Sequence, residues 1–139
     1  MTRGDHDDPL TLDELVEAFE SEEIPPAEFT HGRHVRVAWA LSRRYPPDEA
    51  YARLAAGLRS FARRAGRPEA FHETMTRAWL ELISQSADLE ANPELQDRGL
   101  LARYYSPPAL AAGRGRWVEP DLKPLVLPSP SPAAGSRDG

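Results

Sequence analysis

Three histidines combine the residue types and spacing that could do chemistry. His31 and His34 form an H-x-x-H pair, and His72 lies in the segment Phe71-His72-Glu73-Thr74. Residues three apart share a helix face, so His31 and His34 can direct both imidazoles at one point. If the helix carrying this pair packs beside the helix carrying His72, three imidazoles converge near their N-terminal ends. Three imidazoles suffice for Zn, Fe, Cu or Ni, with a position left open to water or substrate. Glu73 projects about 100° away from His72 on an ideal helix. That suits it to orienting a ligand or moving a proton, and makes it the candidate catalytic group. The plainer reading of the same residues is a chance H-x-x-H pair and a core His72 bonded to a backbone carbonyl. The fourth histidine, His6, sits in an acidic leader and is set aside.

Other polar residues near the histidines are candidate substrate contacts. Arg33 and Arg36 can clamp a carboxylate or phosphate, although Arg33 can equally pair with the acidic first helix. Thr76, like Thr74, offers a hydroxyl beside His72, or satisfies backbone groups near a helix start. Tyr104 can cover the site from a later helix or simply pack. Trp39 and Trp79 follow His31 and His72 by similar intervals and read as core.

The two histidine segments, Phe29-Thr30-His31-Gly32-Arg33-His34 and Phe71-His72-Glu73-Thr74, together resemble an uncharacterised family of small bacterial all-helical proteins. That family pairs an F-T-H-x-x-H helix start with a later [YF]-H-E-T segment. The similarity covers about residues 24–105. It implies an all-helical domain in which His31, His34, His72 and Glu73 act together, and it implies no substrate.

The elements that must position these residues are helical. Thr11 with Glu14 has capping-box spacing, and Leu12, Leu15, Val16 and Phe19 then fall on one face. Thr30 can cap a second helix running to about Arg44. Pro47 suits the first turn of a third, about 48–65, which Gly66 stops. A fourth is expected over about 68–87 and a fifth over 93–104, the latter carrying Leu95, Leu100, Leu101 and Tyr104. No segment alternates with period 2, so no sheet is expected. Seven of the fourteen prolines lie between 107 and 132. Trp117, Val118, Leu122 and Leu125 can pack that stretch as an extended strap. The expected fold is all-α: a single-domain bundle of about five helices with a proline-rich extended C-terminal strap. The expected organisation is a disordered acidic leader (1–10), a helical domain (11–105), the strap (106–127) and a disordered tail (128–139).

Composition excludes several function classes. The chain has 139 residues, no cysteine and a net charge of −5. Disulfides, thiolate metal sites and cysteine nucleophiles are therefore ruled out. Acids dominate residues 1–28, whereas residues 29–67 hold nine arginines against Asp48 and Glu49. An arginine stripe on the third helix (Arg53, Arg59, Arg63, Arg67) could face phosphates. Intramolecular ion pairs explain it better in an acidic protein, so no nucleic-acid partner is expected. No apolar run reaches the roughly 20 residues of a membrane span, and the acidic start is unlike a signal peptide. A cytoplasmic location and no membrane partner are expected. These features lead to a small metal-dependent enzyme, hydrolytic or oxidative, acting on a low-molecular-weight substrate. The alternative is a non-enzymatic helical accessory or interaction protein with structural histidines and a protein partner. A homo-oligomer is compatible with either.

Overall fold

The computed structural model describes residues 8–128. His6 and most of the expected leader and tail lie outside the described residues. Within them the fold is all-α, with five α-helices, intervening 3-10 turns and no strand. The chain divides into two compact units, Met1–Ala70 and Phe71–Gly139.

The first unit is built by local signals that act as the sequence suggests. Helix α1, Leu12–Glu20, starts at Thr11 with a complete capping box. Thr11 Oγ1 accepts from Glu14 N, and Glu14 Oε1 accepts from Thr11 N. Leu15, Val16 and Phe19 form its buried stripe. After a 3-10 turn at Pro26–Glu28, Thr30 caps helix α2, His31–Arg44. Pro47 opens helix α3, Pro47–Arg64, where its missing N–H costs nothing. Gly66 then turns the chain at φ +75. The core joins Leu15, Val35, Leu41, Leu54, Phe19 and Phe61, with half-buried Phe29 against it. Phe29 stacks on Phe61 at 4.4 Å and on Phe19 at 5.4 Å.

Phe19 reaches this stack because Gly57 leaves room for it. A Cβ on Gly57 would overlap the Phe19 ring. Glycine ordinarily weakens a helix interior by about 1 kcal/mol relative to alanine. Here the sign reverses: Gly57→Ala is expected to destabilise the protein by about 2 kcal/mol through overpacking. Urea unfolding of the variant measures this, and a gain in stability would contradict the packing described.

In the second unit, helix α4, Glu73–Ser84, buries Ala78, Trp79, Leu82 and Ile83. The fourth helix is shorter than expected because His72 takes an extended conformation (φ −130, ψ 114) and acts as N-cap. The helix expected over 93–104 is replaced by 3-10 turns at Pro93–Gln96 and Leu100–Arg103. Asp97 breaks it, its carboxylate accepting the Gly99 N–H at 2.9 Å and holding the chain in a turn. Leu95, Leu100 and Leu101 are buried all the same.

The strap is partly helical, since Pro107–Ala112 forms helix α5 with Ser106 as its cap. Beyond it the chain runs without regular structure and is held by side chains. Tyr105 Oη donates to Val118 O, and Tyr104 Oη to Val126 O. The Gln85 amide donates to Leu125 O at 2.7 Å and accepts from Leu127 N at 3.0 Å, as a neighbouring strand would. Leu127 is the buried anchor, whereas Leu122, expected to pack, is 54% exposed.

Candidate functional site

The first histidine motif is a helix start. Thr30 Oγ1 accepts from Arg33 N, so His31 is the first helical residue and His34 the fourth. Phe29, just before the cap, stacks on the His34 ring at 5.8 Å. An apolar residue before the cap packed on the fourth helical residue is a hydrophobic staple, with an imidazole in the aliphatic position. The His31 ring meets the His34 ring edge-on at 6.3 Å.

His34 retains partial exposure, but its Nε2 is buried and has no hydrogen-bond partner among the described residues. Burial, and secondarily the neighbouring His31, lowers its pKa from 6.5 to about 4. At neutral pH the ring is therefore uncharged, as an aromatic staple requires.

His72 has a different task, and both of its ring nitrogens are engaged. Nδ1 accepts from Met75 N at 3.1 Å, and Nε2 lies 2.7 Å from Leu110 O. A nitrogen that accepts an amide N–H carries no proton, so this network assigns the neutral ring with its proton on Nε2, donated to Leu110 O. Glu73 and Thr74 follow in the first turn. Their amides donate to Arg114 O and Gly113 O, and the His72 cap satisfies Met75 N. Segment 110–118 thus closes the N-terminus of α4.

The hydroxyls expected to touch substrate are used in the same way. Thr76 Oγ1 donates to His72 O at 2.7 Å. Thr74, fully buried, donates to Arg116 O and accepts from Val118 N. A Cβ on Gly113 would overlap the Thr74 side chain, so only glycine allows this approach. Tyr104 is fully buried, its hydroxyl pinned to the strap, and burial raises its pKa. It secures the strap.

Arg33 and Arg36 do clamp a carboxylate, and it belongs to Asp8. Arg33 forms a fork, Nε to Oδ2 at 2.9 Å and Nη2 to Oδ1 at 2.8 Å. Arg36 Nη1 adds a third bond at 2.7 Å and extends Nη2 to Leu10 O. The Arg33 hydrogen bonds, then the Leu10 N–H and the charges of both arginines, outweigh burial and lower the Asp8 pKa; the same contact raises that of Arg33. Stability from Asp8 is therefore present above the ordinary carboxylate pKa of 3.8 and lost as pH falls through its lowered value. The expectation that Arg33 pairs with the first helix is corrected: its partner lies just before that helix. On α3, Arg53 pairs with Glu20 and Glu49 and lies over the Tyr45 ring.

Among the described residues no group of three or more His, Cys, Asp or Glu side chains is placed to hold a metal ion. His72 sits before its helix, and its ring curls back onto the Met75 amide. Asp8, Leu10, Gln85 and Gly113 are the structural partners that sequence reasoning missed. Asp8-Pro9 immediately before a capping box was the available signal for the first two. No helix among the described residues is long and apolar enough to cross a membrane. No protein family, curated protein or solved structure matches the chain.

Proposed function

We propose that this chain is a helical accessory or interaction protein whose histidines build and cap its helices. The observation that carries this reading is His72, whose two ring nitrogens hold the Met75 amide and the Leu110 carbonyl. A metal on Nε2 would have to displace the proton and the carbonyl, and one on Nδ1 would uncap α4. His34, the staple partner of Phe29, supports the same conclusion from the other motif. Thr74, Thr76, Tyr104, Arg33 and Arg36 all direct polar atoms at their own chain.

The metal-dependent enzyme is the second reading, favoured by the buried, unpartnered Nε2 of His34 beside His31. In it, His31, His34 and His72 hold a divalent Zn, Fe, Cu or Ni ion, and Glu73 moves a proton. Plasma mass spectrometry of untagged protein, purified without chelators, separates the two. The interaction reading predicts far less than one metal per chain and no uptake of added Zn. Near-stoichiometric metal that is lost in His72→Ala would overturn it in favour of the enzyme.

A further inference from the structure

We infer that residues 116–127 form a clasp along one flank of α4, which opens and closes as one body together with the start of that helix. This goes beyond the interaction reading and does not need it, since no ligand enters. The clasp is fastened at both ends of α4. At the start, buried Thr74 donates to Arg116 O at 2.7 Å and accepts from Val118 N at 3.0 Å. At the C-cap, Gln85 donates to Leu125 O at 2.7 Å and accepts from Leu127 N at 3.0 Å. The strap thus follows the helix from end to end, a span of roughly 18 Å at 1.5 Å per residue.

Little apolar burial backs these bonds. Within 114–128 only Leu127 is buried, whereas Leu122 and Val126 are 54% and 58% exposed. Trp79, Leu82 and Ile83 of α4 are buried in the core. A segment held by side-chain hydrogen bonds of modest net worth opens at a lower free energy than such a core. The clasp therefore opens without global unfolding.

Two adjacent tyrosines make the opening a single event. Tyr105 Oη donates to Val118 O near one end, and Tyr104 Oη to Val126 O near the other. Tyr104 O also accepts from Leu122 N between them. Pro120 and Pro124 fix two φ angles in that stretch and stiffen it. An end that leaves alone must break with a tyrosine whose neighbour still holds the other end. The start of α4 belongs to the same body, because Arg114 O and Gly113 O accept from Glu73 N and Thr74 N. Opening bares Thr74 Oγ1, the Gln85 amide and both tyrosine hydroxyls, so the clasp switches this flank between a sealed and an open state.

Native-state hydrogen exchange on the full chain, followed by NMR at low urea, tests the coupling. The amides of Glu73, Thr74, Val118, Leu122 and Leu127 are expected to share one opening constant and one urea slope. Leu82 is expected to exchange at least about tenfold more slowly. Gln85→Met cuts both bonds at the far end, and is expected to speed exchange at Glu73 and Thr74 about tenfold, as much as at Leu127. Thr74→Val is expected to act in reverse, speeding Leu127 as much as Val118. Acceleration of Leu127 alone in Gln85→Met would overturn the inference, since the ends would then release independently. Separate urea slopes for the five wild-type amides would overturn it too, as would exchange matching that of Leu82. The wild-type comparison needs no substitution, so it decides the matter even where a variant fails to fold.

Discussion

Acidification from pH 6.5 to pH 4 is expected to lower stability by about 3 kcal/mol, and His34→Phe to remove that loss. Burial beside Phe29, and then the charge of His31, lowers the His34 pKa from 6.5 to about 4. An unfolded chain takes up this proton as pH falls through 6.5, whereas the folded chain resists until about 4. The unfolded state therefore binds more protons across this window, and stability falls as pH falls. Below about 4 both states are protonated and this contribution levels off. Phenylalanine keeps the stack on Phe29 and has nothing to protonate. Asp8 acts in a lower window, beginning beneath its ordinary value of 3.8, so the two groups can be told apart. Urea unfolding at several pH values, on wild type and His34→Phe, reads both slopes. A flat wild-type profile between pH 6.5 and 4, or an unchanged slope in the variant, would contradict the buried neutral imidazole.

His72→Ala is expected to cost about 2 kcal/mol, roughly 1 from the lost N-cap and about 1 from the lost hydrogen bond to Leu110 O, which keeps its bond from Gly113 N. His72→Asn separates these parts. Asparagine is among the best N-cap residues and can accept from Met75 N, but it is too short to reach Leu110 O. It should therefore recover about 1 kcal/mol of the loss. A metal-ligand role makes a different prediction, since either substitution would abolish metal binding while leaving the metal-free fold equally stable. Thermal and urea unfolding of the two variants decides between these patterns.

Much of the fold is legible because its signals are local. Thr11 with Glu14, Thr30, Pro47 and Gly66 act within four residues of themselves, and the structure uses each where the sequence suggests. The segment 93–104 misleads because Leu95, Leu100 and Leu101 have helical spacing and are buried, yet the Asp97 turn competes successfully with the helix. The same limit governs the site. A backbone carbonyl partner is one of the two readings that the sequence offers for His72. The particular carbonyl lies 38 residues further on, which no spacing rule reveals. For Arg33 and Arg36 the chemistry of a carboxylate clamp is legible, but the carboxylate is internal. Asp8 becomes visible only when its turn is placed against α2, 25 and 28 residues away.

The most direct test of the central claim is the protonation pattern of the His72 ring, read from a long-range proton–nitrogen-15 spectrum before and after adding one equivalent of Zn(II). The account predicts a protonated Nε2 and an unprotonated, amide-bonded Nδ1, with no change on adding metal. Loss of the Nε2 proton, with metal-induced shifts at His72 together with His31 and His34, would contradict it and restore the three-histidine centre.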